Sequence, residues 1–177
     1  MKEVDEDLAE IIGIILGDGY FYVKRKKNGS GVVITQNSEE DLTYIDYLID
    51  LFSRFGIKPK VYGQKNKNVT YILLKSNGVI EKLILAGLKP GRKINPRIPN
   101  LIKKGTRKVK SAFLRGLSDT DFSICFRKGT SRKNYTYPQI STAFSDLQFV
   151  REIQALIEEF GIKVNRYSIK TYLNNEL

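Results

Sequence analysis

The chain has 177 residues, 41% of them hydrophobic, enough to bury a core in one large domain or in two small halves. Its 30 Lys and Arg against 19 Asp and Glu leave a formal charge of +11, a balance that suits a polyanion, nucleic acid first. The absence of histidine excludes His-based triads, imidazole bases and histidine-ligated metal sites, and a lone Cys125 excludes an internal disulfide.

The acidic opening MKEVDEDL is unlike a signal peptide. The apolar run from Leu8 to Gly17 is about half of what a bilayer core requires, so an intracellular, nucleoid-associated protein is expected. Asp7 to Gly17 reads as a helix with Asp5 or Asp7 as N-cap and Gly19 ending it in a left-handed turn. Residues 20–37 give two alternating runs around an Asn-Gly-Ser-Gly turn, the signature of a β-hairpin. From Ser38, a carboxylate-rich turn leads into apolar positions Leu42, Ile45, Leu48, Ile49 and Phe52, an amphipathic helix that stops at Gly56. A second hairpin over 58–75 and a helix over 78–86 follow, and a basic, Pro-containing stretch at 87–107 reads as a linker.

Beyond the linker the order restarts. Ser111 to Thr120 is a helix, residues from Phe122 form a hairpin with Cys125 as a buried thiol, and Ser145 to Gly161 is an amphipathic helix. FGIKPKVY at 55–62 and FGIKVNRY at 160–167 share five residues, so the chain divides into a first αββαββ repeat at 1–86, the linker, and a second repeat at 108–177 that stops before its fourth strand and last helix. The expected fold class is α+β.

Each repeat carries a glycine-marked helix that ends in an acid. Gly13 and Gly17 lie four apart, as do Gly116 and Thr120, so each helix has a flat strip on which the two can pack backbone against backbone. Their C-terminal acids, Asp18 and Asp121, then become neighbours, and two carboxylates at close range call for a hard divalent cation such as Mg²⁺. A metal clamp on a basic protein reads as phosphodiester hydrolysis.

LAEIIGIILGDGY and FLRGLSDTDFSI resemble the two motifs of the LAGLIDADG homing endonucleases, in the monomeric arrangement of archaeal intron and intein enzymes. The resemblance covers nearly the whole chain and implies a saddle of two antiparallel sheets seated in the DNA major groove, with Asp18 and Asp121 binding Mg²⁺. It gives the helix-internal Asp119 a structural role. In VVITQNS it points to Gln36 as a polar residue near the cleavage site, with Ser141 in its place in the second half, and to Lys75 as a base-assisting lysine. Phe122 departs from the pattern, standing where a glycine is usual.

Lys24, Arg25, Lys26, Lys58, Lys60, Arg127, Lys128, Lys163, Arg166 and Lys170 read together as phosphate and base contacts. Gln36, Gln64 and Lys60 are expected to reach base edges from the DNA-facing side of their strands, and the sequence leaves Tyr20, Tyr22, Tyr62 and Tyr71 between core and sheet surface. The function expected is a site-specific double-strand DNA endonuclease. An intron-RNA maturase and a non-cleaving DNA-binding derivative are the alternatives, and dimerisation stays open.

Overall fold

The computed structural model describes residues 5–22, 29–64, 67–128 and 135–167. In chain order the elements are α1 (Glu6–Gly17), β1 (Tyr20–Tyr22), β2 (Gly31–Asn37), α2 (Leu42–Arg54), β3 (Lys60–Gly63), β4 (Val69–Leu74) and α3 (Asn77–Leu85). Then come α4 (Asn100–Lys103), α5 (Arg107–Asp121), β5 (Ser123–Lys128), β6 (Tyr135–Ser141) and α6 (Leu147–Glu158). The fold is α+β, as the pattern predicts.

Asp5 caps α1 by accepting from Asp7 N–H at 3.2 Å. The far end differs from expectation: Gly19 has no left-handed backbone, and a Cβ there would meet Ile15 Cα at 2.6 Å. It is a close-approach glycine. α2 begins at Leu42, not just after Ser38, because Asn37 Oδ1 accepts from Glu39 N–H at 2.9 Å and Asp41 Oδ2 from Asn37 N–H at 2.9 Å, locking residues 37–41 in turns. The duplicated Phe-Gly-Ile-Lys stretches do behave alike. Gly56 and Gly161 both take φ +80° just past α2 and α6, a left-handed stop that suits glycine.

β1, β2, β4 and β3, in that order, form an antiparallel sheet. Its register puts Phe21, Val32, Ile34, Gln36, Thr70, Ile72 and Leu74 on one face, all buried, and Tyr20, Tyr22, Val33, Thr35, Lys60, Tyr62, Tyr71 and Leu73 on the other. The alternation follows from the two-residue period of the pleat. In the second half, β5 and β6 make a two-stranded ribbon with no further strand among the described residues. Ile124, Phe126 and Ile140 are exposed on it, and so is Cys125, against the expectation of a buried thiol. Two strands do not form a layer that covers both faces.

The core is one cluster drawn from both halves and from the segment between them. Its centre is the contact between α1 and α5. A Cβ on Gly13 would collide with Phe113 O and come within 2.8 Å of Leu117 N, and one on Gly116 would collide with Glu10 O. The contacts advance in the same sense along both helices, so α1 and α5 run side by side and end together. Beside this seam Glu10 is fully buried, bound by Arg115 across the interface and by the Tyr47 hydroxyl from α2.

Residues 87–107, read from sequence as a linker, are folded into the body. Leu88, Ile98 and Ile102 are buried, Gly91 N–H donates to Phe21 O at 2.6 Å, and α4 forms within the stretch. Arg97 pairs with Asp146 at 2.7 Å and Lys103 with Glu152 at 2.6 Å, fastening α6 to the same segment.

Gly13→Ala and Gly116→Ala are each expected to lower unfolding free energy by about 1–3 kcal/mol, since backbone must move to admit the methyl. Gly78→Ala, in α3 with open space around it, is expected to raise it by about 0.5–1 kcal/mol. Urea titration of the three variants reads the difference, and equal effects would show that α1 and α5 are not in backbone contact.

Candidate active site at the ends of the motif helices

Asp18 is the C-cap of α1 and Asp121 the last residue of α5. The glycine strip brings them together: a Cβ on Gly17 would lie 2.8 Å from Asp121 Oδ2, next to the Asp18 that follows. Asp121 Oδ2 is buried and has no hydrogen-bond partner among the described residues. Burial pushes the Asp121 carboxyl up, and the Asp18 charge pushes it further, while Lys93 pulls it down. Asp18 is raised too, again chiefly by desolvation.

The two helices end differently. Asp18 keeps a helical backbone with φ −92° and ψ −9°, whereas Phe122, after Asp121, is already extended at φ −99° and ψ 147°. Thr142 Oγ1 donates to Asp121 O at 2.8 Å, fixing this second turn from β6's C-terminal side. A glycine is not required at Phe122 because the chain leaves the helix without a left-handed residue.

Lys93, which the sequence did not single out, enters this site from the interdomain segment. Its ammonium donates to Gly17 O at the C-terminus of α1 and faces both acids. Desolvation of that end holds the Lys93 pKa below the ordinary lysine value despite attraction by Asp121 and Asp18. Gly91 at φ +103° and Asn95 at φ +49° bracket it in a turn, a loop signal present in the sequence that carries no hint of what the loop touches.

Gln36 lies on the buried face of β2, 9% exposed, and not on the face of Lys60 and Gln64. Its amide lies near Asp18 and favours that acid's charged form, without a hydrogen bond: its Nε2 has no partner among the described residues. Ser141 does not repeat this placement. It pairs with Ser123, two residues past Asp121, as Val33 pairs with Tyr20, two residues past Asp18, and it is exposed. Lys75 is exposed beyond the end of β4 that pairs with Val32, whereas Gln36 lies toward the opposite end of β2, so the structure does not bring Lys75 to the acids.

Lys60 and Gln64 share the exposed face, where the Tyr71 hydroxyl donates to Gln64 Oε1 at 3.4 Å. Lys58 and Lys163 are exposed just past Gly56 and Gly161, and Arg166 is exposed and reaches Gln154 Oε1 at 3.4 Å. Arg127 and Lys128 stand at the end of β5, and Lys24, Arg25, Lys26 and Lys170 lie outside the described residues. Thr120, whose hydroxyl bonds back to Leu117 O at 3.0 Å, packs on Gly17. Asp119 points away from the acid pair into an open concavity of about 600 Å³ lined with Thr43, Tyr44, Tyr47 and Arg115.

The donors at the acid pair are all oxygen: two carboxylates, one of them with an unpartnered buried oxygen, and the Gly17 carbonyl. That set fits a hard divalent ion, which is commonly held by one or two carboxylates with phosphate and water completing its shell. No group of three or more His, Cys, Asp and Glu able to hold a metal occurs among the described residues, so the protein alone supplies a partial shell.

The LAGLIDADG-like domain family matches residues 5–84 and 108–176. The chain belongs to the LAGLIDADG family. Among solved structures, a mesophilic variant of the homing endonuclease I-DmoI is similar with TM-score 0.58 and 15% identity, over 89% of this chain and 78% of that one. I-DmoI in complex with DNA and Mn matches at 0.58 with 17% identity, covering 89% and 79%. The N-terminal LAGLIDADG domain of WhiA matches at 0.54 with 14% identity, covering 93% and 70%. By sequence, the chain is 26% identical to the tRNA-splicing ligases RtcB of Methanopyrus kandleri and Pyrococcus abyssi, over 94% and 93% of its own length. It spans 18% and 19% of those proteins, about a fifth of their length. Among the described residues no helix is long and apolar enough to cross a membrane.

The sign of the pH dependence follows from the raised carboxyls. Between the ordinary value of about 3.9 and the raised folded values, the native state holds protons that the unfolded chain has released, so stability falls as pH rises through this window. Asp18→Asn and Asp121→Asn are therefore expected to raise Tm at neutral pH and to match wild type at about pH 3, where the carboxyls are protonated in both states. Thermal melts across that range check it. A fall in Tm at neutral pH would mean that Lys93 stabilises the charged pair by more than burial costs it.

Proposed function

We propose that this LAGLIDADG chain is a site-specific endonuclease that hydrolyses double-stranded DNA with a divalent cation, Mg²⁺ in particular, acting within the cell. The observation that carries the reading is the juxtaposition of Asp18 and Asp121 at the ends of two helices in backbone contact, with a buried carboxylate oxygen unpartnered among the described residues. The similarity in fold to I-DmoI, solved with DNA and Mn and with DNA and Ca, supports it.

Asp18 and Asp121 would hold the ion, with the Gly17 carbonyl beside them. When bound, the ion supplies a Lewis acid that activates water and offsets charge developing at phosphorus. Gln36, held by its buried strand position, directs its amide toward Asp18 and the scissile phosphate. Lys93 is the cation that faces both acids, and in this reading its ammonium turns to a phosphate oxygen when DNA arrives, the assisting role that Lys75 is too far along the sheet to fill. Lys60, Lys75, Lys58 and Lys163 hold the DNA backbone, the sequence-independent part of affinity.

One observation favours a second reading, a DNA-binding derivative that does not cut: Lys93 already places a positive charge against the acid pair. Cleavage of a randomised duplex library with and without Mg²⁺ separates the two. Metal-dependent cutting at a long preferred site is expected, with loss of about a hundred- to a thousandfold in Asp18→Asn or Asp121→Asn, comparable to removing a principal electrostatic group. Binding without cutting in the wild type establishes the second reading, and displacement of duplex by structured intron RNA would move the assignment to a maturase.

A further inference from the structure

The sheet of the first repeat displays side chains that cleavage chemistry does not use. Its outer face carries Tyr20, Val33, Thr35, Tyr62, Tyr71 and Leu73; Tyr20 is 58% and Tyr62 50% exposed, and Val33, Tyr71 and Leu73 are half-buried between them. A solvated sheet face ordinarily alternates to polar residues, and a cluster of exposed apolar side chains marks a contact surface. Among the described residues this face carries no carboxylate, and Lys60, Lys75 and Gln64 lie at its margins, so it accepts a polyanion.

Resting on the duplex-DNA reading above, we infer that this face reads its half-site by apolar contact with thymine methyl groups, Val33, Leu73 and the edge of Tyr62 being the specificity-determining contacts. Thymine is the base that presents a methyl in the major groove, so a hydrocarbon surface pressed against the groove floor separates T·A from C·G without a hydrogen bond. The geometry of the rings separates this from stacking on unpaired bases. Tyr62 and Tyr71 stack on one another with centroids 5.3 Å apart and planes at 24°, and Tyr20 stacks with Tyr22 at 6.2 Å and 25°. Mutual stacking takes up one face of each ring and so halves the open ring face that single-stranded recognition uses.

The ribbon of the second repeat differs. The face that answers to Tyr20, two residues past the acid, carries Ser123, Cys125, Gln139 and Ser141 among the residues whose side chains are described. The thymine preference therefore belongs to one half-site, and the target is asymmetric in composition.

The test starts by selecting bound duplexes from a randomised library with the full chain in chelator, and then replaces thymine by deoxyuridine in one half of the selected site at a time. Affinity is expected to fall roughly three- to fourfold for each contacted methyl in one half, the worth of a buried methyl, and to be unchanged in the other. Val33→Ser combined with Leu73→Ser, on the outer face, is expected to bind thymine and deoxyuridine duplexes alike when assayed below its own melting transition. Equal affinity of the wild type for both duplexes, or equal loss in both halves, overturns the methyl readout and leaves duplex binding standing. Failure to select any duplex overturns the duplex-DNA reading and this inference with it.

Discussion

Everything at the candidate site depends on α1 and α5 touching through their backbones. Helices normally pack with axes about 8–10 Å apart, the distance set by the side chains between them. Gly13 and Gly116 remove those side chains where the helices meet, and Gly17, one turn past Gly13, does the same directly before Asp18. The consequence is electrostatic as much as steric. Two helix C-termini, each with exposed carbonyls and partial negative charge, end beside two carboxylates, a concentration of negative charge that is relieved by a cation or by a bound proton. The same seam buries Glu10, which Arg115 and Tyr47 neutralise and bond, so the interface carries one satisfied acid at its middle and, at its end, a pair of acids of which Asp121 keeps an unpartnered buried oxygen among the described residues.

The segment between the repeats supplies the cation that the fold itself provides. It is anchored on the first repeat by the bond from Gly91 to Phe21 and on the second by Arg97 to Asp146 and Ile98 to Glu152. Between these anchors Lys93 reaches Gly17. A tether that simply joined two halves would not need buried Leu88, Ile98 and Ile102. Here the tether is part of the core and of the site, which fixes the ammonium where long-range electrostatics alone would not hold it.

The repeats agree in backbone and diverge in surface chemistry. Matching left-handed glycines past α2 and α6 and matching motif helices show the shared architecture. Gln36 lies beside the first acid at a buried strand position, while Ser141 is exposed and turned to Ser123, and the sheet face that is aromatic in the first repeat carries Ser123, Cys125, Gln139 and Ser141 in the second among the residues whose side chains are described. A pseudo-symmetric scaffold with unlike faces suits an asymmetric polymer, because each half can meet a different stretch of it.

The sequence by itself determined the α+β class, the duplication, the paired acids and their family, because these depend on local period, glycine spacing and motif identity, all of which are short-range properties of the chain. Only the tertiary structure decided that Gln36 is buried beside Asp18, that Lys75 stands at the other end of the sheet, that Cys125 is exposed and that Lys93 joins the acids. Strand parity could have separated Gln36 from Lys60 had the register been known, but register is fixed by pairing between distant strands, and a one-residue slip exchanges the faces. Lys93 was illegible for the same kind of reason. It is one lysine among many in a basic loop, and its partners lie 76 residues away in sequence, at Gly17, and in the other direction at Asp121, joined by a fold that no local spacing encodes.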